Sequence, residues 1–150
     1  MLSPKLIHLI EAHAEELTVR IVRDIRANPE CAHLARLPEA ELRERGHEIL
    51  QNLGHWLASG NEEKIAHEYE SIGKLRHEEA VPLNESICGL CLIKYAMIDF
   101  IHEQGIDRDC VALYAEEELE RRVARFFDFL LIHLARGYEI AWRHNMHAAA

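Results

Sequence analysis

Positive charge is in short supply in this chain. Seventeen Lys and Arg stand against 26 Asp and Glu, a formal net charge of -9 and a pI near 5.6. That balance disfavours a nonspecific electrostatic grip on nucleic acid or on an anionic membrane, and points to proteins or small molecules as partners. Glycine and proline are also few, seven and four in 150 residues. There is no Gly-rich phosphate loop, and none of Ser3, Ser59, Ser71 and Ser86 sits in a nucleophile-elbow context, so phosphate-loop and acyl-transfer chemistry lack their motifs. The most apolar run, 83–103, is interrupted by Glu85, Lys94, Asp99 and Glu103 and is a core helix rather than a membrane span. The N-terminal stretch carries acids and no long apolar core, so it reads as neither signal nor transit peptide, and the expected location is cytoplasmic. Four cysteines, Cys31, Cys88, Cys91 and Cys110, are then expected as reduced thiols. No strand pattern, internal repeat, low-complexity tract or domain linker appears.

What is present is helical period. With 49% hydrophobic and 29% charged residues the composition is globular, and 150 residues make a single domain. Ser3 and Pro4 open a first helix over 4–27, with Leu6, Ile10, Ala14, Leu17, Ile21 and Ile25 on one face. Asn28-Pro29 ends it, and 29–37 is a connector containing a short turn of helix. Pro38 reopens the pattern for a second helix, with Leu42, Gly46, Ile49, Leu50, Leu53 and Trp56 inward, which stops at Ser59-Gly60-Asn61. A third helix over 62–79 has the thinner stripe Ile65, Tyr69, Ile72 and Leu75. Pro82 leads into the apolar helix 83–103, which Asn84 is expected to cap, Glu85 to favour in its first turn and Gly105 to terminate. The last helix carries an apolar stripe from Val111 to Trp142, with 1–3 and 145–150 expected to fray. The class is all-α, with five main helices of which the last two are longest.

The run 70–83, ESIGKLRHEEAVPL, followed by a long apolar helix and the closing 127–138, FDFLLIHLARGY, resembles the N-terminal sensor domain of RsbR-type proteins, the RsbT co-antagonists of bacterial stressosomes. The similarity spans most of the chain, and Ala80 departs from it by standing where a glycine is common. The resemblance implies a globin-like, dimeric, generally haem-free domain that receives a signal and passes it to a downstream signalling protein or a STAS-type output domain. If the second and third helices stand where the E and F helices of a globin stand, His77 falls near the proximal position and His47 near the distal one. A haem-binding gas or redox sensor with His77 as axial ligand is therefore the alternative reading, against an exposed histidine at a helix end.

Other constellations carry chemistry at the right spacing, each beside a plainer explanation. Cys88 and Cys91 form C-x-x-C, a spacing used for reversible disulfides, yet no strand precedes it as in thioredoxin-like folds. Two small residues packed in a buried helix are the favoured account of it. A four-thiolate zinc site would need a second close pair. Among eleven histidines, Glu44-x-x-His47, Asp99-x-x-His102 and Glu30-x-x-His33 resemble halves of a di-iron motif, without the second inward pair and bridging glutamates. The acids 116–120 read as a solvated helix face beside Arg121, Arg122 and Arg125. The small residues Cys88, Gly89, Cys91 and Ala96 imply either close packing or a pocket near Tyr95 and Met97. The apolar stripe of the last helix is too wide for one core contact, so Phe126, Phe129, Leu130, Ile132 and Leu134 are expected at a homodimer interface. The sequence thus reads as a non-enzymatic sensing and interaction domain with no catalytic residues, resident cofactor or metal.

Overall fold

The computed structural model describes residues 4–58, 60–104 and 110–149. The expectations placed on Ser3, Ser59 and Gly105 fall outside them. The described residues are helical throughout, with no strand. The order is α1 (Pro4–Ala12), α2 (Ala14–Ala27), two 3-10 turns (Pro29–Cys31 and Leu34–Arg36), α3 (Glu39–Gln51), α4 (Leu53–Leu57), α5 (Glu62–Glu78), α6 (Leu83–Glu103) and α7 (Cys110–Ala149).

Two of the five expected helices are each split by one side chain that competes with the backbone. At His13 the ring Nδ1 donates to the Leu9 carbonyl at 2.8 Å, the same oxygen that its own backbone N–H reaches at 3.2 Å, and φ/ψ leave the helical basin at -105° and 16°. At Asn52 the Nδ2 group donates to the Glu48 carbonyl at 3.1 Å, with φ -115° and ψ 24°. Asn28 closes α2 as expected, and its side chain accepts from the Glu30 N–H at 2.9 Å to start the first 3-10 turn. Asn84 does not cap α6; no side chain does, and Asn84 is exposed. The C-terminal boundary also differs, since α7 continues as helix through Ala149.

The stripes converge on one core. α5 lies along α7, α6 packs between α7 and α2, α3 packs on α2, and α1 closes the end over α4. Ile21, Ile49, Leu53, Met97, Phe127 and Leu130 are fully buried at its centre, each contributing roughly 1.5–3 kcal/mol through removal from water. The closest approach is between α5 and α7 at Gly73 and Gly137, where the absence of Cβ atoms lets the two backbones touch. The α5–α6 turn carries the one non-glycine residue at positive φ among those described, Ala80 at 59°. Two backbone bonds close it: Ala80 N–H donates to His77 C=O at 3.0 Å, and Val81 N–H to Arg76 C=O at 3.0 Å. This is a Schellman ending, the geometry for which glycine is favoured, and Ala80 adopts it with its Cβ in place. Tyr138 of α7 pins the turn, its hydroxyl donating to the Val81 carbonyl at 2.8 Å beside Ser86 Oγ at 2.7 Å.

Candidate functional site

A small cavity of about 50 Å³ lies between α3, α5 and α6. Ile72, Gly89, Leu90 and Ile93 form apolar walls, and the polar groups that reach it are Arg45, Tyr69, Arg76 and Ser86. Of the four small residues of α6, Gly89 alone lines the space; Met97 and Ala96 are packed into the core, and Tyr95 is exposed. A pocket therefore exists on this helix, but on the Gly89 side rather than beside Tyr95 and Met97.

Arginines link α3 to α5 across the cavity. Arg76, buried, donates through Nη1 to Glu41 Oε1 at 2.5 Å and to Glu79 Oε1 at 2.8 Å. Burial by itself raises the pKa of both carboxyls. At Glu41 the hydrogen bonds from Glu79 and Arg76 outweigh burial and hold the pKa low, whereas burial and the neighbouring Glu41 keep that of Glu79 raised. Arg45 sits 3.6 Å from Glu48 and 3.7 Å from Glu68, and burial followed by the Glu68 charge raises the pKa of Glu48. Burial likewise lifts the Tyr69 phenol above its ordinary range. Because each guanidinium is already met by two carboxylates, the cavity presents little net charge. Its lining includes no carboxylate, histidine or thiol. What it can take chemically is a small, mostly apolar molecule.

A second cluster secures the wall of the cavity. Glu85, buried on the first turn of α6, accepts from the backbone N–H groups of His33 and Leu34 at 2.8 Å each and from His33 Nδ1 at 2.8 Å. Burial would raise its pKa, and these three donors outweigh that and hold it below the ordinary carboxylate value. The second 3-10 turn, whose Leu34 lines the cavity, is thus held by a residue 51 positions along the chain.

The structure does not bring His47 and His77 around a common space. His47 lies toward α2 with Nε2 3.4 Å from Glu15, in a surface groove shared with Glu39, Arg43 and Glu44. His77 stacks edge-on against Tyr138 at 5.9 Å and opens toward α7, with its Nδ1 buried and unpartnered. Neither reaches the cavity between α3 and α5, and 50 Å³ is far below what a porphyrin occupies, so the residues present do not fit a haem there.

The residues expected at a dimer interface divide. Phe126, Leu130 and Leu134 are buried against other helices of the same chain, which leaves them no surface to offer, and Phe129 is half-buried against His133. Ile132 faces outward with 58% of its surface exposed. Trp142 and Met146, each 56% exposed, extend that outer face and were not expected there. The signal for them was their spacing from Ile132, legible only once the inward face of α7 is known.

Two groupings escaped sequence reasoning. His102 joins Glu116 and Glu120, with one ligand atom from each within 4.8 Å of the others. Each ring nitrogen already faces its own carboxylate, Nδ1 at 3.2 Å from Glu116 and Nε2 at 3.0 Å from Glu120, so ion pairing satisfies the group. The second is sulfur. Cys88 Sγ lies 3.6 Å from Asn28 Nδ2, and the Asn28 carbonyl accepts at 3.0 Å from the N–H of Cys31 in the first 3-10 turn, so that Cys31 and Cys88 share one neighbour. Their separation along the chain hid the pair. No family model, no curated protein and no solved structure matches the chain.

Proposed function

We propose that the chain is a non-enzymatic, globin-like signal-sensing and protein-interaction domain of a bacterial stress or regulatory pathway, acting as a homodimer. The observation that carries this reading is the uncovered outer face of α7. The helix has 40 residues, about 60 Å at 1.5 Å per residue, and its last turns extend with Trp142 and Met146 in the open. Ile132, Glu139 and Met146 are seven apart, as are Ala135 and Trp142, the spacing of a two-helix seam. Ile132, Trp142 and Met146 are the large exposed apolar side chains among these positions, with Ala135 and Glu139 between them, and they lose less by meeting a second copy than by facing water. The small, mostly apolar cavity, with no carboxylate, histidine or thiol among the described residues that line it, supports a sensing role, and a downstream signalling protein or STAS-type domain is the partner in keeping with the resemblance.

Sedimentation equilibrium at micromolar concentration tests the reading. A dimer is expected, and Trp142→Glu combined with Met146→Glu shifts it to monomer while helical circular dichroism is retained. A wild-type monomer under those conditions removes the interaction role. Protein purified from haem-replete cells is expected to be colourless, and a Soret band would instead restore the haem-sensor alternative.

A further inference from the structure

One polar group at the cavity is buried without a partner. Tyr69 of α5 is 3% exposed and lines the space with Ile72, Leu90 and Ile93, and among the described residues its hydroxyl makes no hydrogen bond. A buried tyrosine hydroxyl ordinarily finds one. The other polar groups of the lining are engaged elsewhere. Arg76 donates to Glu41 and Glu79, and Arg45 lies between Glu48 and Glu68 with part of its side chain at the surface. Ser86 Oγ stands 2.7 Å from Tyr138 Oη, whose one hydrogen goes to the Val81 carbonyl, so Ser86 gives its own hydrogen to Tyr138. Burial raises the pKa of Tyr69, and the phenol therefore keeps its proton at neutral pH with nothing in the protein to receive it.

Size and polarity narrow what that proton can meet. A dry cavity of about 150 Å³ takes benzene, with its six non-hydrogen atoms, so one of about 50 Å³ takes two or three. A buried water is held by roughly two to four polar partners, and mostly apolar walls with one free donor do not supply them. A charged ligand would find both guanidiniums already met by carboxylates. What fits is a short apolar body carrying a single acceptor oxygen. We propose that the cavity binds a one- or two-carbon neutral alcohol or aldehyde, whose oxygen accepts from the Tyr69 hydroxyl while its carbon end packs on Ile72, Leu90 and Ile93. This ligand class rests on the sensing role proposed above. So few atoms support a dissociation constant no tighter than roughly millimolar, which suits a site that responds to such molecules only when they are abundant.

Ethanol titrated into the full chain, with propane as its apolar isostere, tests the site through the methyl resonances of Ile72, Leu90 and Ile93. Saturable ethanol shifts with a dissociation constant on the order of 1–10 mM are expected in those methyls and not in the exposed Val19 and Ile132. Tyr69→Phe keeps the ring against Trp56 and is expected to weaken ethanol binding about tenfold while leaving propane binding unchanged. Gly89→Ala takes up the space itself: its Cβ would stand 2.8 Å from Leu34 Cδ2, the end of a side chain that also lines the cavity and can give way. That variant is expected to lose both probes while its circular dichroism stays helical. Ethanol bound equally by wild type and Tyr69→Phe, or no saturation in wild type up to roughly 100 mM, overturns the proposal. The methyl shifts read the cavity and sedimentation reads α7, so a failure here and a failure of the functional reading are told apart.

Discussion

Gly73 and Gly137 face each other across the contact of α5 with α7. A Cβ built on either would lie 3.0 Å from the other's Cα, and one on Gly137 would lie 2.9 Å from the Glu70 carbonyl carbon. What blocks a side chain here is backbone on both sides, which cannot rotate away as a side chain can. Gly73→Ala and Gly137→Ala are each expected to destabilise the fold by about 3 kcal/mol or more, as the helices are forced apart along their whole contact. Urea unfolding at neutral pH measures the loss. A gain of about 1 kcal/mol, which alanine brings to a helix interior where nothing clashes, would show that the helices are not in contact there.

Ala80 sits in the left-handed region at φ 59°, where a Cβ crowds the following carbonyl. Replacement by glycine relieves that strain while both backbone bonds of the turn are kept. Ala80→Gly is expected to stabilise the protein by about 1 kcal/mol, read as a higher urea midpoint with an unchanged slope. The opposite substitution type, Ala80→Val, should cost more than that gain.

Arg76 holds two carboxylates whose pKa values burial by itself raises. Removing it in Arg76→Met leaves Glu41 facing Glu79 without a cation, and the cost at pH 7 is expected to be about 3–5 kcal/mol. Burial and the neighbouring Glu41 already raise the folded-state pKa of Glu79 above the ordinary 4.5, and the variant loses the Arg76 charge that opposes the rise. Groups of that sort contribute stability below pH 4.5 and lose it as pH rises through the folded value, so the deficit of the variant should grow from pH 5 to pH 7. A deficit constant across that range would mean that the carboxylates do not feel one another.

Glu85 has the opposite sign. Its folded pKa lies below 4.5, so its contribution is present above that pH and lost as pH falls through the folded value. Glu85→Gln keeps the shape but places an amide N–H₂ against groups that are themselves donors. The variant is expected to lose about 2 kcal/mol at pH 7 and to show a shallower acid limb below pH 4.5 than the wild type. Parallel acid limbs in urea midpoints taken from pH 3 to pH 7 would contradict the assignment.

The helices were legible in the sequence because their causes are local. Asn28-Pro29 stops one and Pro82 precedes another, and the stripes through Ile10, Ile49, Ile72 and Leu130 repeat at a period that any amphipathic helix must keep. The breaks at His13 and Asn52 were missed although their bonds are also local, because whether a side chain captures a carbonyl four residues back depends on a small energy difference that tertiary packing tips. Among the site residues, His47 and His77 followed from an assumed correspondence of helices rather than from a local pattern, and they line different grooves. Gly73 and Gly137 stood in two separate stretches, each informative as sequence and neither hinting at the other. Glu85 reaching His33, Asn28 reaching Cys88 and the outward turn of Trp142 were invisible for the same reason. A helix's period fixes which of its residues share a face, but the rotation and depth at which that face meets another helix are set by the packing of both, and only the tertiary structure decides them.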